Sequence, residues 1–127
     1  MTPPPPVANL GRIRRFLLDF KQVASQRGVD LVPRSGSLAT LRDLGLTKQN
    51  LEEVLLSLSV GDYCIGPEPD RDRPGEVWVY GKQVEGHEIY IKLKLADVGG
   101  GVQIAKCISF HSAARPLRYP HAGTASG

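Results

Sequence analysis

The sequence predicts an α+β protein in which N-terminal helices pack on a C-terminal antiparallel sheet. Three observations carry this. Apolar residues recur at three- and four-residue spacing between Leu10 and Arg27, they alternate at period two from His87 to Leu95 and from Val102 to Phe110, and glycine-bearing pairs stand where hairpin turns would join those stretches. With 127 residues in all, one compact domain is expected. It would run from residue 10 to 120, between a proline-rich tail at 1–9 and a small-residue tail at 121–127.

Met1 to Val7 contains four consecutive prolines, which lack amide donors, so a disordered or polyproline tail is expected there. The first helix, Leu10 to Arg27, presents Ile13, Phe16, Leu17, Phe20, Val23 and Ala24 on one face, and Gly28 stops it. Arg12, Arg14, Arg15 and Lys21 fall outside that stripe, where they form a solvated face or touch phosphate. Val29 to Pro33 reads as a short extended piece. A second helix, capped by Ser37, carries Leu38, Leu41 and Leu44 and ends at Gly45; a third, capped by Thr47, carries Leu51, Val54, Leu55 and Leu58. Leu46 and Leu51 are spaced as a hydrophobic staple. Ser59 to Gly75, with three prolines and the run Asp70-Arg-Asp-Arg73, reads as a long loop entering the sheet.

The sheet starts with Glu76 to Lys82, rich in strand formers, and a Glu85-Gly86 turn that sets Gly81 across from Tyr90. Val77, Val79 and Gly81 then share the face of Tyr90, while Trp78 and Tyr80 join the core. In the next strand Ile89, Ile91, Leu93 and Leu95 point inward, so Tyr90, Lys92 and Lys94 point outward. In the last strand Val102, Ile104, Ile108 and Phe110 fall on the inner side and Gln103, Ala105, Cys107, Ser109 and His111 on the outer, with Lys106 the one misfit. A two-residue Gly100-Gly101 turn pairs Gly99 with Val102. Counting outward puts Tyr90 opposite His111, Lys92 opposite Ser109, Lys94 opposite Cys107, Ile91 beside Phe110 and Leu93 beside Ile108. Gly81 beside Tyr90 is either a weak point in its strand or an open floor over which a ligand backbone passes. After Pro116, Leu117 and Tyr119 are expected to pack back across the protein.

Composition narrows the function classes. No apolar run approaches the roughly 20 residues of a membrane span and no charged leader precedes an apolar segment, so a cytoplasmic protein without membrane contact is expected. Cys64 and Cys107 stand far apart without CxxC spacing, which favours buried free thiols over a zinc or redox site. The net charge of +3 and pI of about 9.0 weakly favour a polyanionic partner. The sequence shows no carboxylate pair, Ser/His/Asp set, phosphate-cradling glycine loop or metal cluster, and no cofactor is expected.

Several residues carry a family resemblance: Leu44-Gly-Leu46, Ser59-Val-Gly-Asp-Tyr63, Tyr80, Ile89-Tyr-Ile-Lys92 and Ile108-Ser-Phe-His111. In this order and spacing, from about Ile13 to His111, the chain resembles the MqsR family of bacterial toxins, messenger RNA interferases with a RelE-like fold. The resemblance implies a sequence-selective endoribonuclease of a type II toxin-antitoxin system, acting on messenger RNA at GCU-like sites and held in check by a cognate antitoxin protein. It places the catalytic tyrosine on Tyr90 and a catalytic lysine on His111. Two positions depart from the pattern: Ile65 stands where the family has a lysine, and Val77 where it has a glutamine.

Metal-free RNA cleavage needs a base for the ribose 2′-hydroxyl, a cation for the charge on the phosphorane and an acid for the leaving 5′-oxygen. Histidine, which ordinarily titrates near neutrality, suits the first or the third task, so His111 is the candidate. Lys92 and Arg115 would stabilise charge, and Arg118 would hold a neighbouring phosphate. Lys94, Arg71 and Arg73 extend the set that meets RNA. Tyr90 would donate to phosphate or stack on a base. The bland alternatives are a surface histidine, lysines that keep a sheet face wet and a tyrosine that covers it. In the rival reading the protein is a binding module for nucleic acid or protein that kept the fold and lost the chemistry.

Overall fold

The computed structural model describes residues 7–124; the tail expected over the prolines is outside the described residues from Met1 to Pro6. Three helices pack on a five-stranded sheet in the order β1-β5-β4-β3-β2. Helix α1, Leu10–Arg27, starts where Asn9 accepts from the Arg12 amide at 2.9 Å and ends at Gly28, whose φ of 77° admits a residue without a side chain. Its buried face is Ile13, Phe16, Leu17, Phe20 and Ala24, and Phe16 stacks on Trp78 with ring centroids 4.6 Å apart. The extended piece after Gly28 is strand β1, Val29–Leu31, which pairs in parallel with β5.

Helix α2, Ser35–Leu44, begins three residues earlier than the Ser37 cap predicts, with Arg34 at the cap position. Ser37 lies inside it, fully buried, and its hydroxyl accepts from the Phe110 amide of β5 at 3.0 Å. Strand β1 pairs only as far as Cys107, so the Phe110 amide lies beyond its reach and a side chain meets the donor instead. Helix α3, Lys48–Leu56, does carry the Thr47 cap, closed reciprocally by Asn50.

Residues 59–75 are not a continuous loop. A short 3-10 turn, Val60–Asp62, leads into strand β2, Tyr63–Pro69, on the free edge of β3. Pro67 and Pro69 hide this strand from sequence reading, yet an edge strand with irregular register tolerates residues that cannot donate. Strands β3, Glu76–Val84, and β4, His87–Asp97, form the predicted hairpin, with Gly81 opposite Tyr90.

Strand β5, Gln103–Ser112, meets β4 in a register that changes midway. Near the turn Asp97 faces Gln103 and Leu93 faces Cys107; past a bulge Lys92 faces Ser109, Ile91 faces Phe110 and Tyr90 faces His111. Lys94 therefore opposes Lys106, not Cys107, and Leu93 does not stand beside Ile108. The turn contains three glycines of positive φ, Gly99 to Gly101, with the Val98 amide bonded to the Val102 carbonyl. Ala105 and Cys107 consequently point into the core, reversing the prediction, and Lys106 is no misfit: it shares the outward face with Ile104.

Candidate functional site

The outer face of the sheet, turned away from α1 and α3, carries the candidate residues. Tyr90 of β4 and His111 of β5 are register partners, and their rings stack at 5.1 Å with planes 15° apart. Both are half-buried. The His111 Nδ1 lies 3.0 Å from the Ser112 carbonyl, which leaves Nε2 as the nitrogen available to a ligand. Burial raises the Tyr90 phenol above its ordinary pKa, with the charge of Glu68 adding to the effect, so Tyr90 remains a hydrogen-bond donor through the neutral range.

Beside Tyr90 opens a cleft of about 610 Å³ lined by Lys92, Glu68, Val77, Arg34, Ile108 and the loop from Pro69 to Asp72. The face is thus built from neighbouring strands and roofed at one end by the segment that precedes α2. Val77 lines this cleft, and Ile65 stands on β2 opposite Val79, so both departures from the family pattern fall on this part of the sheet.

The predicted cations do not all gather here. Lys92 and Arg71 line the cleft, while Arg73 lines a smaller adjoining cavity of about 100 Å³. Lys94 is withdrawn: its side chain is 6% exposed and its ammonium bonds the Asp70 carboxylate at 2.6 Å and the Pro74 carbonyl at 2.8 Å. It pins the β2–β3 loop instead of facing a ligand. The hydrogen bond from Lys94, helped by the Asp72 amide, holds the Asp70 carboxyl below the usual carboxylate range. Arg115 and Arg118 are exposed on the segment after β5, and neither lines the cleft.

That segment also rules out the open floor, one of the two alternatives at Gly81. It crosses the outer face as a strap, with the Leu117 amide bonded to Glu88 Oε1 at 3.0 Å and the Tyr119 hydroxyl to Oε2 at 2.8 Å. A Cβ on Gly81 would stand 2.6 Å from Leu117 Cδ1 and closer still to the Tyr119 hydroxyl. The chain's own strap fills the space that a ligand would have used. His121 is not incidental, for its Nε2 lies 3.0 Å from the Ala8 carbonyl and its ring packs beside Tyr63. Residues 121–124 are thereby docked, and Val7 bridges Gly66 on β2.

Arg34 and Glu68 escaped the sequence reading. The signal for Arg34 is the parallel pairing of β1 with β5, which sets the start of α2 over the sheet; the signal for Glu68 is the alternation of β2, broken by its prolines. Cys64 and Cys107 are buried free thiols pushed up to about 12 by burial. Among the described residues no three His, Cys, Asp or Glu side chains converge as a metal site, and no helix is long and apolar enough to cross a membrane.

Fold and face together define a small α+β protein whose sheet offers a stacked histidine–tyrosine pair beside a cleft of mixed charge. Residues 15–112 match the family model described as motility quorum-sensing regulator, toxin of MqsA, and the chain belongs to that family. The match runs from within α1 to the last residue of β5, so the strap is outside it. No curated protein and no solved structure gave a significant match.

Proposed function

We propose that the protein is a messenger RNA endoribonuclease, the toxin of a bacterial toxin-antitoxin pair, and that an MqsA-like antitoxin is its partner. The observation that carries this reading is the Tyr90–His111 stack, with Lys92 two residues further along β4 beside the cleft. His111 exchanges a proton with the ribose 2′-hydroxyl or the leaving 5′-oxygen, Lys92 stabilises charge on the phosphorane, and Tyr90 donates to a phosphate oxygen. Arg34 and Arg71, which also line the cleft, hold neighbouring phosphates. The reaction drawn in this way uses side chains alone. Incubation of purified protein with mixed-sequence RNA in EDTA tests it: cleavage that persists and leaves 2′,3′-cyclic phosphate and 5′-hydroxyl ends is the expected result. Products with 5′-phosphate, or activity that requires magnesium, would overturn it.

A second reading has its own observation. Ile65 and Val77 put apolar side chains where the resemblance places a lysine and a glutamine, which favours a binding module that retained the fold. A folded protein that binds RNA and cleaves none in any buffer would establish that reading.

A further inference from the structure

The cleft contains a proton acceptor that the family pattern does not account for. Lysine and arginine are ordinarily cations at neutral pH, so Lys92, Arg34 and Arg71 serve as charge stabilisers, and Tyr90 keeps its proton. The acceptor among the lining residues is therefore a carboxylate. Asp70 is committed to Lys94, and Asp72 stands on the exposed β2–β3 loop. Glu68 differs from both. It is half-buried on strand β2, is register partner to Val77, and forms no ion pair with a described residue.

Its place in the sheet matters as much as its chemistry. The strand order puts β2 on one side of β4 and β5 on the other, so Glu68 and His111 flank Tyr90 and Lys92 from opposite sides. Displacement at phosphorus sets the attacking and leaving oxygens roughly in line. The groups that serve them must then approach the phosphate from opposite sides; Glu68 lines the cleft with Lys92 and Tyr90 from the β2 side, and His111 stacks on Tyr90 from the β5 side.

We propose that Glu68 is the general base of the cleavage and His111 its general acid, an assignment that rests on the endoribonuclease reading and decides which task His111 performs. Glu68 takes the 2′-hydroxyl proton as the 2′-oxygen bonds to phosphorus. The bond from phosphorus to the 5′-oxygen breaks, and imidazolium His111 gives that oxygen its proton. The products are a 2′,3′-cyclic phosphate and a 5′-hydroxyl, with no other reactant consumed. A carboxylate on β2 thus supplies the proton acceptor that Ile65 and Val77 cannot.

Turnover of wild type, Glu68→Gln and His111→Ala is measured on two substrates across pH, with circular dichroism of each protein. One substrate is an oligoribonucleotide containing the site mapped in mixed-sequence RNA; the other replaces its leaving 5′-oxygen with sulfur, which departs without an acid. Glu68→Gln should lower turnover about 10²- to 10⁴-fold on both and remove the limb of the pH profile that rises with pH. His111→Ala should lose as much on the oxygen substrate, remove the falling limb and regain most of its rate on the sulfur substrate. Near wild-type cleavage by Glu68→Gln would overturn the base assignment and leave the endoribonuclease reading standing, as would rescue of Glu68→Gln, but not of His111→Ala, by sulfur. A wild-type protein inactive on every RNA would overturn the endoribonuclease reading itself and the assignment with it.

Discussion

At the scale of single residues, His111 and Tyr80 lie on opposite faces of the sheet and should respond in opposite ways. His111→Ala removes the imidazole from the outer face, where it supports no core packing, so turnover should fall about 10²- to 10⁴-fold while the circular dichroism spectrum stays unchanged. Tyr90→Phe separates two roles: strong loss means the hydroxyl contacts phosphate, and mild loss means the ring only stacks. Tyr80 is fully buried among aromatic neighbours, and its hydroxyl has no hydrogen-bond partner among the described residues. Tyr80→Phe removes an unpaired polar atom at almost no cost in volume. The expected outcome in urea denaturation is neutral stability or a gain of up to about 1 kcal/mol, with RNA cleavage unaffected.

At the scale of elements, a buried side chain of β4 anchors the β2–β3 loop. Lys94 reaches from β4 to Asp70 and the Pro74 carbonyl, and the two charged side chains are only 6% and 12% exposed. Lys94→Met leaves the Asp70 carboxylate shielded from water without its cation, which should destabilise the protein by roughly 3 kcal/mol, measured by denaturant midpoint. Asp70 has a depressed pKa in the folded protein, so its contribution is fully present above the ordinary carboxylate range and is lost as pH falls through the folded value. Lowering pH from about 6 toward about 3, across the ordinary carboxylate range, should therefore weaken wild type more than Asp70→Asn, read as the difference between their melting temperatures. Because this loop forms a wall of the cleft, the same acid range should loosen the site.

At the scale of the whole molecule, the path of RNA over the cleft is set by which cations face it. Arg34 and Lys92 line the cleft, whereas Arg14 is exposed on α1, away from the buried stripe that packs on the sheet. Removing one cation that neutralises a phosphate of single-stranded RNA lowers the slope of log K against log salt by about 0.7. Arg34→Ala and Lys92→Ala should each show that reduction in a titration with unstructured RNA, and Arg14→Ala should show none. Equal reductions from all three would mean that the RNA runs over α1 as well.

Elements whose signals are local were legible in the amino-acid order. The α1 stripe, the Thr47 cap, the Glu85-Gly86 turn and the alternation of β4 all depend on neighbours within a few residues, and each stands where it was expected. The Tyr90–His111 pairing was also legible, but for a reason that the folded sheet alone exposes. The Gly99–Gly101 turn is one residue longer than the two-residue form, the bulge at Ile108 restores the count, and the two displacements cancel before Tyr90. Between them the faces are exchanged, which is why Ala105 and Cys107 were misplaced. Other contacts between distant segments were not legible: β1 beside β5, the proline-bearing β2 on the edge, and Lys94 on Asp70; the return of Leu117 and Tyr119 across the protein was expected, but not its seat over Gly81. Those contacts decide which cations reach the cleft and bring Glu68 and Arg34 to it. Backbone geometry writes its period into adjacent residues, whereas a contact between distant segments depends on the packing and hydrogen bonding of the whole chain and exists only once that chain has folded.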